Sequence, residues 1–280
     1  AQSMAEGTEV EFVHAYDDPD IVAGQGTLGI EMYENCTDVD TIIVPIGGGG
    51  LISGIATAFD QLSPETRIIG VQAEGASTVH ESLNKGMPVT LEEVDTIADG
   101  IATGGISEMT MDIINSKVDE VVTVTDTEIA TATLLILERA KQVVEGAAAA
   151  SVAAILSDEL DVSGEVVMPL LCGGNLDMTT LRTVLIHALT NRKQVLRLRV
   201  RIDDSPGKMA DLSEVIASHG ANIHNVRHER AVPELSVGEA TLVFTIETQG
   251  AEHADTIVEA IRNEGYTVEG IDSRSESVTE

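Results

Sequence analysis

The spacing of apolar and polar residues divides the chain into two parts. Up to about residue 190, short β-type runs alternate with longer runs of helical spacing, a pattern typical of βα units around a parallel sheet. From Val195 to Ile202 apolar residues alternate strictly with arginines, as in a strand that buries one face. We therefore expect a large α/β domain (residues 1–192), a small domain (residues 195–272) and a short tail (residues 273–280).

The first part contains five runs that predict strands and four that predict helices. Two helix starts have clear signals: Asp18 before Pro19 offers an N-cap with a first-turn proline, and Thr125 with Glu128 is a capping box. Because the helices would carry the chain back across the sheet, we expect parallel strands. The predicted strands are 10–14, 41–46, 67–72, 120–124 and 165–171, and the predicted helices are about 21–34, 51–59, 126–143 and 147–156.

The second part has the element order βαββαβ, which is that of a ferredoxin-like unit. One helical stripe of apolar residues (209–216) is closed by Gly220, and a second covers 257–261. The predicted strands are 195–202, 223–229, 240–247 and 266–271. An RNA-binding βαββαβ module would need aromatic side chains on its central strands and a basic face, and this sequence has neither.

Four consecutive glycines, termed the glycine loop (Gly47, Gly48, Gly49 and Gly50), connect the predicted strand 41–46 to an apolar helix. Glycine loses more backbone entropy on folding than other residues, so a run of four needs a reason. Bare N–H groups and the positive end of the following helix can together hold a phosphate. A flexible linker or a tight turn is the alternative, and we favour phosphate binding because both flanking segments are apolar.

A second glycine turn, residues 172–175 (Cys-Gly-Gly-Asn), follows the predicted strand 165–171. In open α/β sheets, ligands bind beyond the carboxyl ends of the strands. Because the glycine loop also follows a strand, we expect both turns to face one ligand.

The composition excludes several classes of partner. Sixteen basic and 47 acidic residues give a formal net charge of −31, which argues against binding to nucleic acid or to an anionic membrane. No apolar run is long enough to span a bilayer, and the two cysteines do not form a paired-cysteine motif, so we expect a protein of a reducing cytoplasm. The acidic surface and the small number of lysines favour a halophilic, salt-rich cytoplasm over ordinary acidic solubility.

Several motifs, taken together, resemble the threonine dehydratase family of pyridoxal-phosphate enzymes, which is of the tryptophan-synthase-β type. Residues 195–270, with Asp-Ser-Pro-Gly at 204–207, resemble an ACT domain, a small amino-acid-sensing module. The resemblance implies the large-domain portion of PLP fold type II, followed by a ferredoxin-like ACT domain. The motifs of the first part are Val44-Pro-Ile-Gly-Gly-Gly-Gly-Leu51, Val71-Gln-Ala-Glu-Gly75, Ala98-Asp-Gly-Ile-Ala102 and Leu171-Cys-Gly-Gly-Asn175, with residues 17–19 and 23–27 in support.

The resemblance implies that the cofactor is pyridoxal phosphate, and it implies which residues hold it. The glycine loop and Leu51 would bind the phosphate, and Cys172, followed by Gly173, would contact the pyridine nitrogen. A neutral thiol cannot keep that nitrogen protonated as a carboxylate would, so the carbanion sink is weaker and elimination of a β-hydroxyl competes. Glu145 and Asn175 would support the site, with a solvated helix terminus and a simple turn as their alternative roles.

Two further sites follow from the same resemblance. Glu74 matches a carboxylate that helps bind a monovalent or divalent cation in some relatives, with Thr78 and His80 as further ligands; His80 stands where those relatives have an acidic residue, and a surface carboxylate is the alternative. An amino acid, isoleucine or valine, would bind the ACT domain and act through subunit contacts in a homo-oligomer. Its site would comprise Asp204, Ser205, Pro206, Gly207, Lys208 and Met209, unless this turn merely connects two elements.

Two elements of the family do not occur in the sequence: the Ser-x-Lys motif whose lysine forms the Schiff base, and a Ser-x-Gly-Asn-His loop for the substrate. Lys117 follows Ser116 and Lys141 precedes Glu145, but neither has the family context. Both elements come before Ala1 in the family order. We therefore expect a parent enzyme whose N-terminal segment is not in this chain, and a chain that is inactive alone.

The implied function is that of a threonine ammonia-lyase, which converts L-threonine, and also L-serine, to a 2-oxo acid and ammonia. In that reaction the Cα–H of the substrate is acidified, the absent lysine acts as base and the β-hydroxyl leaves. The alternative is a non-catalytic, amino-acid-sensing protein that retains the phosphate loop.

Overall fold

The computed structural model describes residues 12–157, 159–230 and 235–272. The chain divides into two compact units between Leu181 and Arg182. The α/β class predicted for the first unit and the ferredoxin-like βαββαβ order predicted for the second are both confirmed. Within the described ranges, no helix combines the length and apolar character that crossing a membrane requires.

Unit 1 is built on a parallel sheet with the strand order β3-β2-β1-β4. Its last helix runs across the division between the units, and two 3-10 turns, Glu74–Ala76 and Asp99–Ile101, lie between its other elements. The strands are β1 Thr41–Pro45, β2 Arg67–Ala73, β3 Glu120–Val124 and β4 Val167–Pro169, and the helices are α1 Pro19–Asn35, α2 Gly50–Leu62, α3 Val79–Lys85, α4 Glu108–Lys117, α5 Asp126–Ala140, α6 Gly146–Leu156 and α7 Met178–Asn191.

The sheet of unit 1 is covered on both faces, which explains why its strands read as nearly continuous apolar runs. Ile43 and Ile69 pack on one face against the alanine-rich helix α6 and the helix α5. Ile42 and Val44 pack on the other face, in a cluster with Phe59 of α2. The core is aliphatic, as the composition requires, because the chain has no tryptophan and only three phenylalanines.

Several element boundaries differ from the sequence predictions for local reasons. Helix α5 ends at Ala140 instead of about residue 143, because Lys141 has a φ of +58°. Strand β4 is shorter than residues 165–171 and includes Pro169, which has no N–H to donate. A strand over 10–14 was wrong for residues 12–14, where the His14 ring accepts the N–H of Asp17 at 2.9 Å, and residues 10 and 11 lie outside the described ranges.

Unit 2 is an antiparallel sheet with the strand order β6-β7-β5-β8. Two helices follow β5 and β7, giving the ferredoxin-like order predicted from the sequence. On β5 the apolar residues predicted to face inward, such as Leu198 and Val200, are fully buried. The strands are β5 Val195–Asp203, β6 Asn222–Glu229, β7 Glu239–Glu247 and β8 Thr267–Asp272, and the helices are α8 Lys208–Ser218 and α9 Ala251–Asn263.

Candidate functional site

The glycine loop lies at the carboxyl end of β1 and leads directly into helix α2. After β1 ends, Ile46 still donates its N–H to the carbonyl of Val71 at 2.7 Å, which holds the start of the loop beside β2. Gly49 is the N-cap of α2 with φ +92° and ψ −5°, and its carbonyl accepts the N–H of Ser53 at 3.0 Å. Helix α2 therefore begins without a side-chain cap, and only glycine backbone lies at its N-terminus.

Three backbone N–H groups of the glycine loop have no acceptor among the residues that the structure describes. None of the N–H groups of Gly47, Gly48 and Gly49 donates to another residue in the described part of the chain, and the first N–H groups of any helix have no acceptor within it. Gly48, Gly49 and Gly50 are buried, and a buried N–H without a partner is costly. An anion would satisfy several of these donors at once and would also be stabilised by the dipole of α2.

Two side chains from elsewhere in unit 1 shape the glycine loop. A Cβ on Gly48 would lie 2.1 Å from the ring of Tyr16, and a Cβ on Gly49 would lie 2.8 Å from the Cβ of Thr110. The Tyr16 hydroxyl donates to the carbonyl of Gly105 at 3.3 Å, and the Thr110 hydroxyl donates to the carbonyl of Gly48 at 2.9 Å. Sequence reasoning missed both residues.

The second glycine turn leaves the same edge of the sheet as the glycine loop, as predicted. Strand β4 pairs with β1 in parallel, with Pro169 opposite Ile43, and Leu170 donates its N–H to the carbonyl of Ile43 at 2.9 Å. Glu145 donates its N–H to the carbonyl of Gly173 at 3.3 Å. A Cβ on Gly173 would lie 2.2 Å from the Glu145 carboxylate, so this carboxylate lies directly on the turn.

The 3-10 turn Asp99–Ile101 connects the two glycine segments. A Cβ on Gly100 would lie 2.7 Å from Oε1 of Glu145, and a Cβ on Gly47 would lie 3.2 Å from the Cα of Ile101. The motif at residues 98–102 therefore contacts both the glycine loop and the carboxylate on the second turn. Three of the segments that resemble one family in sequence thus meet at one edge of the sheet.

Thr103 adds a polar group at this edge. Its Oγ1 is buried and has no hydrogen-bond partner among the residues that the structure describes, and a Cβ on Gly47 would lie 3.5 Å from it. Asn175 is exposed and makes no hydrogen bond to the described residues, so its predicted supporting role rests on the sequence resemblance alone.

Cys172 carries a neutral thiol at this site. Burial, the largest cause, and the negative charge of Glu145 raise the pKa of the thiol to about 11, against a smaller opposing effect of a backbone N–H. The thiol is therefore protonated at neutral pH. This is the state in which Cys172 could hydrogen-bond a pyridine nitrogen without holding it protonated.

The residues predicted to bind a cation are close in sequence, and one of them, His80, is engaged elsewhere. The ring Nε2 of His80 lies 2.8 Å from the carbonyl of Val121, and because a carbonyl only accepts, this nitrogen donates its proton there. Glu74 is exposed, whereas the Oγ1 of Thr78 is buried and has no partner within the described ranges. Among the described residues, no three His, Cys, Asp or Glu side chains are placed to hold a metal ion, and the cation site stays a prediction.

In unit 2, the predicted amino-acid site forms one exposed turn and the helix start after it. The Asp204 carboxylate accepts the Nε–H of Arg230 at 2.9 Å and lies 3.5 Å from the Nε2 of His228. Gly207, with φ +100°, is the N-cap of α8. Lys208 places its Nζ 5.3 Å from the centre of the Tyr266 ring. Ser205, Pro206 and Met209, which complete the predicted site, are all exposed.

Comparison with known proteins adds independent information. The profile of the family described as "Pyridoxal-phosphate dependent enzyme" matches residues 1–173, and an ACT-domain profile matches residues 190–268. L-threonine ammonia-lyase of Geobacter sulfurreducens is 43% identical over 259 residues, which are 92% of this chain and 64% of the relative. The L-threonine ammonia-lyase of Thermotoga maritima is 38% identical over 268 residues, which are 96% of this chain and 67% of the relative.

A solved structure shows that the fold of this chain is also similar to that of a threonine deaminase. The processed form of threonine deaminase isoform 2 from Solanum lycopersicum superimposes with a TM-score of 0.63 at 33% identity, covering 66% of this chain and 55% of that one. The chain thus spans about two thirds, or less, of the length of the relatives that it matches.

Proposed function

The chain belongs to the family of pyridoxal-phosphate-dependent enzymes, in the group of threonine dehydratases with an ACT domain, and on this premise we propose that it acts in the deamination of L-threonine. The observation that carries the proposal is the set of largely buried N–H groups in the glycine loop that have no acceptor among the described residues. The neutral thiol of Cys172 lies on the second glycine turn, which leaves the sheet at the same edge. The relatives named L-threonine ammonia-lyase support L-threonine as the substrate.

The residues present at this edge of the sheet fit the cofactor of the family. The N–H groups of Gly47, Gly48 and Gly49 would hold its phosphate, and the buried hydroxyl of Thr103 lies beside them without a described partner. Pyridoxal phosphate, when bound, supplies an electron sink that stabilises negative charge at the Cα of an amino acid.

The side chains of this chain would bind and orient the cofactor and would exclude water from its site. The ring of Tyr16 covers Gly48 and would exclude water from that side of the glycine loop. Cys172 would donate a hydrogen bond from its thiol to the ring nitrogen without transferring the proton, since its pKa is about 11. Glu145 would hold the second glycine turn against Gly100. L-Serine, which lacks one methyl group, would be a second substrate.

The five lysines of the chain support the proposal that the Schiff-base lysine is not among them. Each contacts a residue that is not part of the glycine loop: Lys85 contacts Glu81, Lys117 contacts Asp60, Lys141 contacts the carbonyl of Glu138, Lys193 contacts Asp255 and Lys208 contacts Tyr266. The same observation favours the second candidate, a non-catalytic amino-acid sensor that retains the phosphate loop. We expect the chain alone to have no deaminase activity.

Cofactor binding by the purified chain tests the proposal. We expect it to bind pyridoxal phosphate, and we expect Gly48→Ala to abolish binding because the added Cβ meets the Tyr16 ring at 2.1 Å. Gly174→Ala is the matched control, since a Cβ there meets nothing within 4 Å. Borohydride reduction followed by peptide mapping should find no stoichiometric lysine adduct. Equal binding by wild type and Gly48→Ala would overturn the assignment of the loop.

The coding sequence upstream of the codon for Ala1 separates the two candidates. An in-frame Ser-x-Lys and Ser-x-Gly-Asn-His, in a product that deaminates L-threonine, would support the lyase. A stop codon directly upstream would support the sensor.

Regulation, assembly and salt adaptation form the remaining part of the proposal. We propose that isoleucine or valine binds at residues 204–209 and changes activity through contacts between subunits of a homo-oligomer, which calorimetric titration and sedimentation would test. We also propose that the surface suits a salt-rich cytoplasm, since a net charge of −31 repels itself. A thermal midpoint that does not rise with KCl would contradict this.

A further inference from the structure

Thr110 connects helix α4 to the glycine loop through its hydroxyl. It is fully buried, and its Oγ1 donates to the carbonyl of Gly48 at 2.9 Å, although the two residues are 62 positions apart. Ser107, the N-cap of α4, completes the arrangement. The N–H of Ser107 donates to the Thr110 Oγ1 at 3.1 Å, and the N–H of Thr110 donates to the Ser107 Oγ at 3.2 Å.

The residue type at position 110 matters because its Oγ1 must both accept and donate a hydrogen bond. The carbonyl of Gly48, at 2.9 Å, is a nearer acceptor for its proton than the carbonyl of Ser107, at 3.3 Å. A capping box usually has Glu or Gln three residues after the cap, since only an acceptor is needed there. An ionised Glu has no proton for the carbonyl of Gly48. Threonine accepts from Ser107 and donates its single proton to Gly48, so it closes the helix start and fixes the loop with one hydroxyl.

Fixing the carbonyl of Gly48 also fixes the N–H of Gly49. The peptide between them is trans and planar, so its C=O and N–H point in opposite directions. With the carbonyl directed at α4, the N–H of Gly49 is directed away from α4. This N–H has no partner in the described part of the chain. The left-handed φ of +92° at Gly49 is a conformation that lets successive backbone N–H groups form a concave, anion-binding arrangement.

We infer that Thr110 is a positioning residue for the phosphate: it orients the Gly48–Gly49 peptide so that the N–H of Gly49 is presented to the anion. The inference rests on the proposed phosphate role of the glycine loop. Thr110 does not touch the anion and acts through the backbone. Losing its hydroxyl would let this peptide rotate, so that a carbonyl oxygen could face the phosphate in place of a donor.

The test compares ligands that differ only in the phosphate. Purified wild type, Thr110→Val and Thr110→Ser are titrated with pyridoxal phosphate and with pyridoxal, and inorganic phosphate is used as a competitor. We expect Thr110→Val, which keeps the shape and loses the donor, to weaken binding of pyridoxal phosphate by about tenfold. Binding of pyridoxal should not change, and Thr110→Ser should restore the wild-type ratio of the two affinities.

Two more variants separate positioning from a general loss of structure. Ser107→Ala removes the helix cap but keeps the donor to Gly48, so it should destabilise the fold without changing the affinity ratio. Thr110→Cys keeps a weak donor of similar size, serves if Thr110→Val does not fold, and should give an intermediate ratio.

The outcomes are distinct. An unchanged ratio in Thr110→Val, or in Thr110→Cys if it must serve instead, with normal binding by wild type, would overturn the role of Thr110 alone. A wild-type chain that binds pyridoxal phosphate no better than pyridoxal, with no competition by inorganic phosphate, would overturn both this inference and the proposed role of the glycine loop.

Discussion

Two connections between a strand and a helix in this chain use the same backbone device in opposite surroundings. In unit 1, Gly49 is the N-cap of α2 with φ +92°, and in unit 2, Gly207 is the N-cap of α8 with φ +100°. Neither helix has a side-chain cap. Gly49 is buried against Thr110, whereas a Cβ on Gly207 would meet nothing within 4 Å.

The difference shows that backbone conformation alone does not make an anion site. Both turns present a helix N-terminus, but only the glycine loop combines it with buried N–H groups that lack described partners. The exposed turn begins with the Asp204 carboxylate, which repels a phosphate and is held by Arg230.

The largest expected contrast comes from alanine at the two N-caps. Gly49→Ala should lower the free energy of unfolding of unit 1 by about 3 kcal/mol or more, because left-handed strain adds to overpacking against Thr110. Gly207→Ala should cost unit 2 only the strain, about 1–2 kcal/mol. Hydrogen exchange measured peptide by peptide assigns each loss to its unit. Equal losses at the two positions would show that the surroundings of Gly49 do not matter.

Alkaline pH should lower the stability of unit 1 because the Cys172 thiol titrates there. The pKa of its thiol is about 11 in the folded chain and 9.0 as the unperturbed value. Between these values the unfolded chain loses the proton first, so stability is unaffected below pH 9 and falls as pH rises from 9 to 11, by on the order of 2 kcal/mol in total. Cys172→Ser does not titrate there and is the control. Parallel stability curves for both proteins would contradict the raised pKa.

The smallest expected effect concerns the exposed turn. Asp204→Asn removes the charge that pairs with Arg230, which is itself largely exposed, so unit 2 should lose less than about 1 kcal/mol. Added salt should shrink the difference between the two proteins, because it screens an exposed pair. Denaturant unfolding with and without salt measures this. A loss of several kcal/mol that does not respond to salt would mean that the turn is held as rigidly as the glycine loop.

The fold was predictable where a signal is local. Asp18 and the pair Thr125 and Glu128 cap their helices as expected, since each cap is made within four residues. The alternation in β5 gave its buried face for the same reason. Helices α3, α4 and α7 were not predicted. The cap of α4, for example, has threonine in place of the usual Glu or Gln three residues on, so the sequence pattern of a capping box is missing there.

The candidate site was predictable where it is visible as glycine and, for Cys172 and Glu145, where the sequence resembles the family. Nothing near residues 10–16 shows that the ring of Tyr16 lies on Gly48, because that contact depends on how α1 packs. Thr103 and Thr110 look like ordinary loop and helix residues in the sequence. Their importance comes from one hydroxyl without a partner among the described residues and one long-range hydrogen bond, and both become visible only in the folded chain.

The position of Tyr16 makes the glycine loop accessible to tyrosine fluorescence measurements. The chain has no tryptophan and three tyrosines, so ultraviolet emission reports tyrosine alone. Tyr33 packs against Phe59 and Tyr266 lies beside Lys208, whereas the ring of Tyr16 touches the glycine loop. Replacing Tyr16 with phenylalanine isolates its share of the emission. The unmodified protein therefore carries its own fluorescent probe of whatever enters the loop.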